Sequence, residues 1–216
     1  MPATDELTGT LTHDAIIEHF EAVCQESESV RAPLAVINLD IDDFASINRQ
    51  YGHVVGDEVL RVVGASLITN FHDLGAVGRY GGDQFAVVLP GARSETAFVL
   101  AEEVRKVIDD SPLKLQIGDQ TIHLAVRVSA GVAEYPVDGA NWADLFRKAD
   151  EALYRAKNLG RNRVCLPVST QMVTKTSHFT QVQLEKLSEL AKKVGKSEAS
   201  LLREGLDNLL SKYDIA

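Results

Sequence analysis

Two short stretches carry acids where the chain is about to turn: NLDIDDF, residues 38–44, and RYGGDQF, residues 79–85. In the first, Asp40 closes an apolar run, with Asp42 and Asp43 in the turn behind it. In the second, Asp83 follows two glycines between two apolar runs. Hard divalent cations such as Mg²⁺ take oxygen ligands, commonly one or two carboxylates plus substrate phosphates. If the two runs are neighbouring strands, Asp40 and Asp83 converge at one end of a sheet. Metal ions held there would activate a hydroxyl and stabilise a departing pyrophosphate in an in-line displacement. Gly81 and Gly82 would let a phosphate or sugar approach the backbone closely. Taken singly, each stretch is better read as a capped turn or an ordinary hairpin; the chemistry rests on the two together.

The elements that must position these residues follow from periodicity. LTHDAIIEHFEAVCQES has apolar residues at helical spacing behind Thr12 as N-cap, and PLAVINLDID reads as a buried strand. GHVVGDEVLRVVGASLIT is a second amphipathic helix, and AVGRY and FAVVLP flank the Gly-Gly-Asp-Gln turn as a β-hairpin. SETAFVLAEEVRKVIDD is a third helix; LKLQI and IHLAVRVSAGVAEY pair as another hairpin across Gly118-Asp119. NWADLFRKADEALYRAKNLG is a helix ended by Gly160, and NRVCLP is a last strand. Two hairpins among alternating helices require a mixed or mostly antiparallel sheet with helices packed over it, an α+β sandwich and not a doubly wound fold.

Composition bounds these readings. The 216 residues, 45% hydrophobic and 25% charged, suit one ordinary domain with a short appendage. No apolar run approaches the ~20 residues of a membrane span, and MPATDELTGT lacks the pattern of a secretory signal. Cys24 and Cys165 lie far apart without metal-ligand spacing, which points to a reducing cytoplasm. Residues 1–169 carry a formal charge of −10 and residues 170–216 of +1, so the acidic body is poorly suited to broad nucleic-acid binding.

Five blocks occur in order: DELTGTLTH, DIDDFASINRQYGHVVGDEVL, RYGGDQF, SAGVAEYPVDG and KADEALYRAKNLGRNRV. Together they resemble the GGDEF family of diguanylate cyclase domains, with GGDQF as a variant signature, over about residues 4–166. The resemblance implies a fold like the palm of nucleotide cyclases and polymerases. It implies GTP as substrate, Mg²⁺ (or Mn²⁺) as cofactor, and cyclic di-GMP as the product of two facing domains. By position it makes Asp40 and Asp83 catalytic and metal-binding, with the carbonyl of Ile41 as a backbone ligand. Asn48 and Asp57 match the guanine-reading residues, because a carboxylate accepts the N1–H and N2 amino pair that guanine presents. Without the resemblance, Asn48 would cap a turn and Asp57 would be solvated in the first turn of a helix. Phe44, Gly81 and Gly82 match positions beside the nucleotide. Lys157 and Arg161 match phosphate-binding cations, four apart and so on one side of a helix.

The chain departs from that pattern in ways that bear on turnover. Gln84 stands where the family has Glu, Ala45 where it has Lys, and Arg49 where it commonly has Asp. Thr10, Thr12 and His13 replace Leu, Asn and Arg in the opening block. Gln keeps one carbonyl acceptor but loses a negative charge, and so is a poorer partner for Mg²⁺. The Arg of the family's product-binding Arg-x-x-Asp falls at His72, which predicts no product inhibition through that site.

Past residue 167 the pattern changes. Residues 168–216 look like a ribbon-helix-helix module: a strand, a helix bearing Leu184, Leu187, Leu190 and Ala191, a Gly195 turn, and a helix bearing Leu201, Leu202, Leu206, Leu209 and Leu210. Such modules dimerise and lay paired strands in the DNA major groove, which would turn Thr174, Thr176 and His178 toward DNA and Phe179 toward the core, with Ser197 as N-cap. A helical hairpin used solely for dimerisation fits the same stripes. Two whole-chain readings follow. One is a cytoplasmic diguanylate cyclase, slowed by Gln84 and Ala45 and dimerised through its tail. The other is a degenerate domain that senses GTP and passes its state to a DNA-binding tail.

Overall fold

The computed structural model describes residues 2–30, 32–117, 120–167, 179–194 and 197–212. The chain divides into two compact units, Met1–Ser169 and Thr170–Ala216. In the first, α1 (His13–Val30) precedes the central strand β1 (Leu34–Ile41), and two helices follow at once, α2 (Phe44–Tyr51) and α3 (His53–Phe71). The hairpin of β2 (Ala76–Gly81) and β3 (Gln84–Pro90) leads into α4 (Ser94–Asp109). A small hairpin, β4 (Leu113–Ile117) and β5 (Gln120–Leu124), precedes β6 (Val128–Tyr135), α5 (Trp142–Asn158) and the two-residue β7 (Val164–Cys165).

The main sheet has the order β2-β3-β1-β6-β7, antiparallel throughout except for the parallel β6–β7 pair. β1 lies at its centre with all eight residues buried, which is why LAVINLDI is an almost unbroken apolar run. Side chains alternate between faces. Ala35, Ile37, Leu39 and Ile41 join a core with α3 and α4, whereas Leu34 and Val36 join a second core with α1 and α5. The sheet is thus a middle layer between two groups of helices, the α+β arrangement that the pattern implies.

Three features differ from the sequence reading. First, α2 is an additional helix over a segment to which periodicity assigns no element; Gly52, at φ +84°, separates it from α3. Second, the run IHLAVRVSAGVAEY is not one strand. β5 stays with β4 in a separate two-stranded sheet, while β6 enters the main sheet beside β1. The chain breaks at Ala125–Arg127, where the Arg127 carbonyl accepts the Asp42 N–H at 2.9 Å. Third, NRVCLP contributes only Val164 and Cys165 to the sheet. Gly118 and Asp119 lie outside the described residues. Thr12 caps α1 as expected, its hydroxyl accepting the Ala15 N–H at 3.4 Å.

The second unit contains α6 (Gln181–Val194) and α7 (Glu198–Lys212), in contact with each other. Ser197 immediately precedes α7, and its carbonyl accepts the Leu201 N–H at 3.1 Å. Phe179, Leu184, Leu190, Leu202 and Leu206 are exposed, whereas Leu187 and Leu201 are half-buried and Ala191 is buried. Thr174, Thr176 and His178 lie outside the described residues, as does Gly195. Among the described residues no helix is long and apolar enough to cross a membrane. No disulfide joins Cys24 and Cys165.

Candidate active site

Strand alternation places the first acid. Asp40 is the last even-numbered residue of β1, so its side chain lies on the α1/α5 face, 6% exposed. Its cross-strand neighbour in β3 is Gln84, and its neighbour in β6 is Ser129. One step beyond Gln84, the Asp83 carbonyl accepts the Ile41 N–H at 3.3 Å, so the two acid-bearing segments do meet at one end of the sheet.

Two side chains converge on Asp40. Lys157, from the last turn of α5, brings Nζ to 2.7 Å from Oδ1. Gln84 donates from Nε2 to Oδ2 at 3.4 Å. The lysine contact is a close, charge-assisted pair to a buried carboxylate oxygen. Burial pushes the Asp40 carboxyl above its ordinary value, and the charge of Asp83 adds to the rise; Lys157 and Gln84 oppose it without cancelling it. An open cleft bordered by His13, Tyr80, Trp142, Phe146 and Arg147 reaches Gln84 on this same face.

The hairpin turn is built for its shape. Gly82 has φ +55°, the left-handed region that favours glycine. Arg79 reaches back and donates to the Gly82 carbonyl from Nε at 3.0 Å and from Nη2 at 2.8 Å, while its Nη1 lies 3.3 Å from Asp5. Asp5 accepts from the Thr8 N–H at 2.9 Å and hydroxyl at 2.7 Å. Burial pushes the Asp5 carboxyl upward, but the Thr8 hydrogen bonds and Arg79 outweigh it and hold the group below its ordinary value. Gly81 is different: its φ is not positive, and a Cβ there would meet nothing. Neither packing nor conformation accounts for glycine at that position.

A second group gathers where α2 crosses α3. Asn48 lies so close over Gly56 that a Cβ on Gly56 would stand 1.9 Å from Asn48 Oδ1 and 3.3 Å from the Phe44 ring. Asn48 Oδ1 is buried without a hydrogen-bond partner, an unmet acceptor of the kind that native structures rarely leave without cause. Asp57, the next residue along α3, is exposed, in the second turn and not the first. Asn48 does not cap a turn; it lies inside α2.

Arg161 is not on the helix that carries Lys157. The α5 helix ends at Asn158, Gly160 takes φ +110°, and the Arg161 N–H returns to the Ala156 carbonyl at 3.1 Å. This glycine-closed C-terminus turns the chain out of the helix, so a spacing of four does not put the two cations on one side. Both nevertheless reach the end of β1 and the loop behind it: Lys157 meets Asp40, and Arg161 Nε lies 3.5 Å from Asp43 Oδ1. The sequence reading missed what holds that loop. Asp42 is buried, accepting from Ser129 Oγ at 2.8 and 3.0 Å and from the Asn162 N–H at 2.9 Å. Asn162 in turn binds Asp109 on α4 at 2.7 Å and accepts from Arg105 at 2.8 Å. Three acids in four residues read as one cluster in the sequence; only the fold separates Asp42, tied to Ser129 and Asn162, from Asp40, which faces Lys157 and Gln84.

The donors at the sheet end suit a hard cation. They comprise two carboxylates and a backbone carbonyl, with one carboxylate oxygen buried beside the Lys157 ammonium. Among the described residues no group of three or more His, Cys, Asp or Glu could hold a metal ion, so a cation here would complete its shell from phosphate and water.

A mostly antiparallel sheet with helices on both faces and acids at the tips of two central neighbouring strands is the palm-like arrangement of nucleotide cyclases. Residues 2–163 match the diguanylate cyclase GGDEF domain family, and the chain belongs to it. It is 37% identical to a diguanylate cyclase of Vibrio cholerae over 76% of this chain and 49% of that protein. It is 32% identical to the response regulator PleD of Caulobacter vibrioides over 76% of this chain and 36% of PleD. The chain thus spans less than half the length of these relatives. Among solved structures, the GGDEF domain of DgcB from Caulobacter crescentus in complex with c-di-GMP is similar with a TM-score of 0.71 at 31% identity, covering 76% of this chain and 92% of that one. The active GGEEF domain of a Vibrio cholerae diguanylate cyclase has a TM-score of 0.66 at 35% identity, covering 74% and 98%.

Proposed function

We propose that the first unit binds GTP with Mg²⁺ or Mn²⁺ and condenses two GTP molecules into cyclic di-GMP, releasing two pyrophosphates, at a rate lowered by Gln84 and Ala45. The observation that carries this reading is the convergence of Asp40, Asp83 and Lys157 at one end of the sheet, in a chain of this family. Asp40, Asp83 and the Ile41 carbonyl would hold the cation, which when bound supplies charge to the attacking hydroxyl and the departing pyrophosphate. Lys157 and Arg161 meet triphosphate oxygens, and the open backbone at Gly81 and Gly82 admits them. Asn48 offers its unmet Oδ1 to a guanine N–H, with Asp57 on the same helix pair as a second acceptor. Phe44, whose ring also lies over Gly56, borders the same position. The exposed leucines of α6 and α7 serve to pair two chains, so that two loaded sites meet.

One observation favours a second reading, a GTP-responsive domain without turnover: Gln84 donates a hydrogen bond into Asp40 where the family places a carboxylate. Its output would pass through the tail, with DNA as the partner. Purified protein incubated with GTP and Mg²⁺ or Mn²⁺, with cyclic di-GMP read by mass spectrometry, separates the two. Product from wild type and none from Asp83→Ala is expected. Product from Gln84→Glu but none from wild type would establish the non-catalytic reading. A salt-dependent DNA shift lost on removing residues 168–216 would add the DNA-binding output.

A further inference from the structure

We infer that Lys157 is a built-in counter-ion that occupies the cation position at Asp40 until nucleotide arrives. Binding of metal alone is thereby suppressed and coupled to the triphosphate. The inference deepens the proposed function, since it rests on Asp40 as a cation ligand and Lys157 as a phosphate ligand. Three observations carry it. The Lys157 ammonium stands 2.7 Å from Oδ1 of a carboxylate that is 6% exposed. Burial and the charge of Asp83 both work against Asp40 as an anion, and Lys157 is the cation that offsets them. Gln84 approaches the other oxygen with its amide at 3.4 Å, which leaves Oδ1 as the atom in contention.

Charge makes the exchange reciprocal. A buried carboxylate beside a second acid needs a positive partner, and Lys157 supplies it on a flexible stem that is one-third exposed. A divalent ion entering alone must displace the ammonium, leaving it near the metal with no anion of its own. A metal ion arriving with a triphosphate gives that ammonium new anions, so Lys157 moves from carboxylate to phosphate and no charge is stranded. Asp40 at the strand tip and Lys157 in the last turn of α5 lie on one face of the sheet, so the transfer needs only side-chain rotation.

Binding of Mn²⁺ to the full chain without nucleotide, read from the electron paramagnetic resonance of the free ion, tests this. Lys157→Met should bind Mn²⁺ roughly tenfold more tightly than wild type, while Lys157→Arg, which keeps the charge, should remain as weak as wild type. Adding Asp40→Asn to Lys157→Met should abolish the gain. A folded Lys157→Met that binds Mn²⁺ no better than wild type overturns the proposal, as does a gain that survives Asp40→Asn. Should Lys157→Met fail to fold, Lys157→Gln is read by the same two criteria. The outcome is separable from turnover: a chain that makes no cyclic di-GMP still shows the Mn²⁺ gain if the counter-ion is real, and an active one without the gain retains its function and refutes the switch.

Discussion

At the scale of single residues, the site is defined by buried acceptors that the fold leaves in deficit. Burial raises the Asp40 carboxyl despite Lys157 at 2.7 Å, and Asn48 Oδ1 is buried and unmet; each is an expense that folding alone does not repay. Removing the buried Asp40 charge should therefore stabilise the protein while ending its chemistry. We expect Asp40→Asn to raise Tm by roughly 2–4 °C without ligand, the shift that about 1 kcal/mol produces in a chain of this size. It should also abolish GTP turnover, with scanning calorimetry and product assay as the paired readouts. The second acceptor is addressable through its neighbour. Gly56→Ala puts a methyl group where Asn48 Oδ1 now lies, 1.9 Å away, and the flexible Asn48 side chain must give way. Alanine favours the helix by about 1 kcal/mol over glycine, so stability should hold or rise while GTP affinity falls about tenfold or more. Isothermal titration on a thermally intact variant checks this, and unchanged affinity would remove Asn48 from the binding site.

At the scale of elements, α5 must approach the sheet closely for Lys157 to reach Asp40, and Gly131 permits it. A Cβ on Gly131 would stand 1.9 Å from the Ala149 carbonyl and 2.4 Å from the Leu153 nitrogen, both backbone atoms that cannot rotate away. Gly131→Ala should cost about 1–3 kcal/mol in chemical denaturation, because the helix must shift bodily. The loop after α5 depends on α4 through Asp109. The Asn162 amide holds the Asp109 carboxyl below its ordinary value despite some burial, with Arg127 and Arg105 assisting. A lowered folded value means that this stability is present above the unfolded value and lost as pH falls through the folded one. Asp109→Asn should thus lose up to about 1 kcal/mol at neutral pH and match wild type in acid, a comparison made by urea denaturation across pH. These element-level contacts are what the sequence leaves unread. The buried strand at 34–41, the Gly-Gly turn and the acid at each strand tip follow from hydrophobic runs and turn chemistry. The departure of Arg161 from its helix turns on a single glycine. The sorting of Asp42 from Asp40 depends on which face of β1 meets which helix, a long-range fact absent from local pattern. The break between β5 and β6 is of the same kind, since Ala125–Arg127 has no turn signal and leaves the hairpin only because the main sheet offers a better partner.

At the scale of the whole molecule, the chain joins an acidic GGDEF unit to a nearly neutral helical pair with several exposed leucines. Joining two GTP molecules into one ring requires two loaded sites face to face, and one unit of this kind supplies only one. If α6 and α7 pair two chains, each site meets its partner at the effective concentration set by the tether, which short linkers place near millimolar. Untethered units at about 1 µM would encounter one another far less often, so the deficit should reach roughly 10²-fold or more at equal chain concentration. Residues 1–169 alone should therefore fold, sediment as monomers, and show cyclic di-GMP formation whose rate per chain climbs with protein concentration. The full chain should sediment as a dimer, with a rate per chain that is flat over the same range. Sedimentation velocity and a dilution series of the product assay, run on both proteins, decide the matter. A monomeric full chain with the same concentration dependence as its truncated form would show that the exposed leucines of the tail serve some other partner, and that this unit finds its second copy without help.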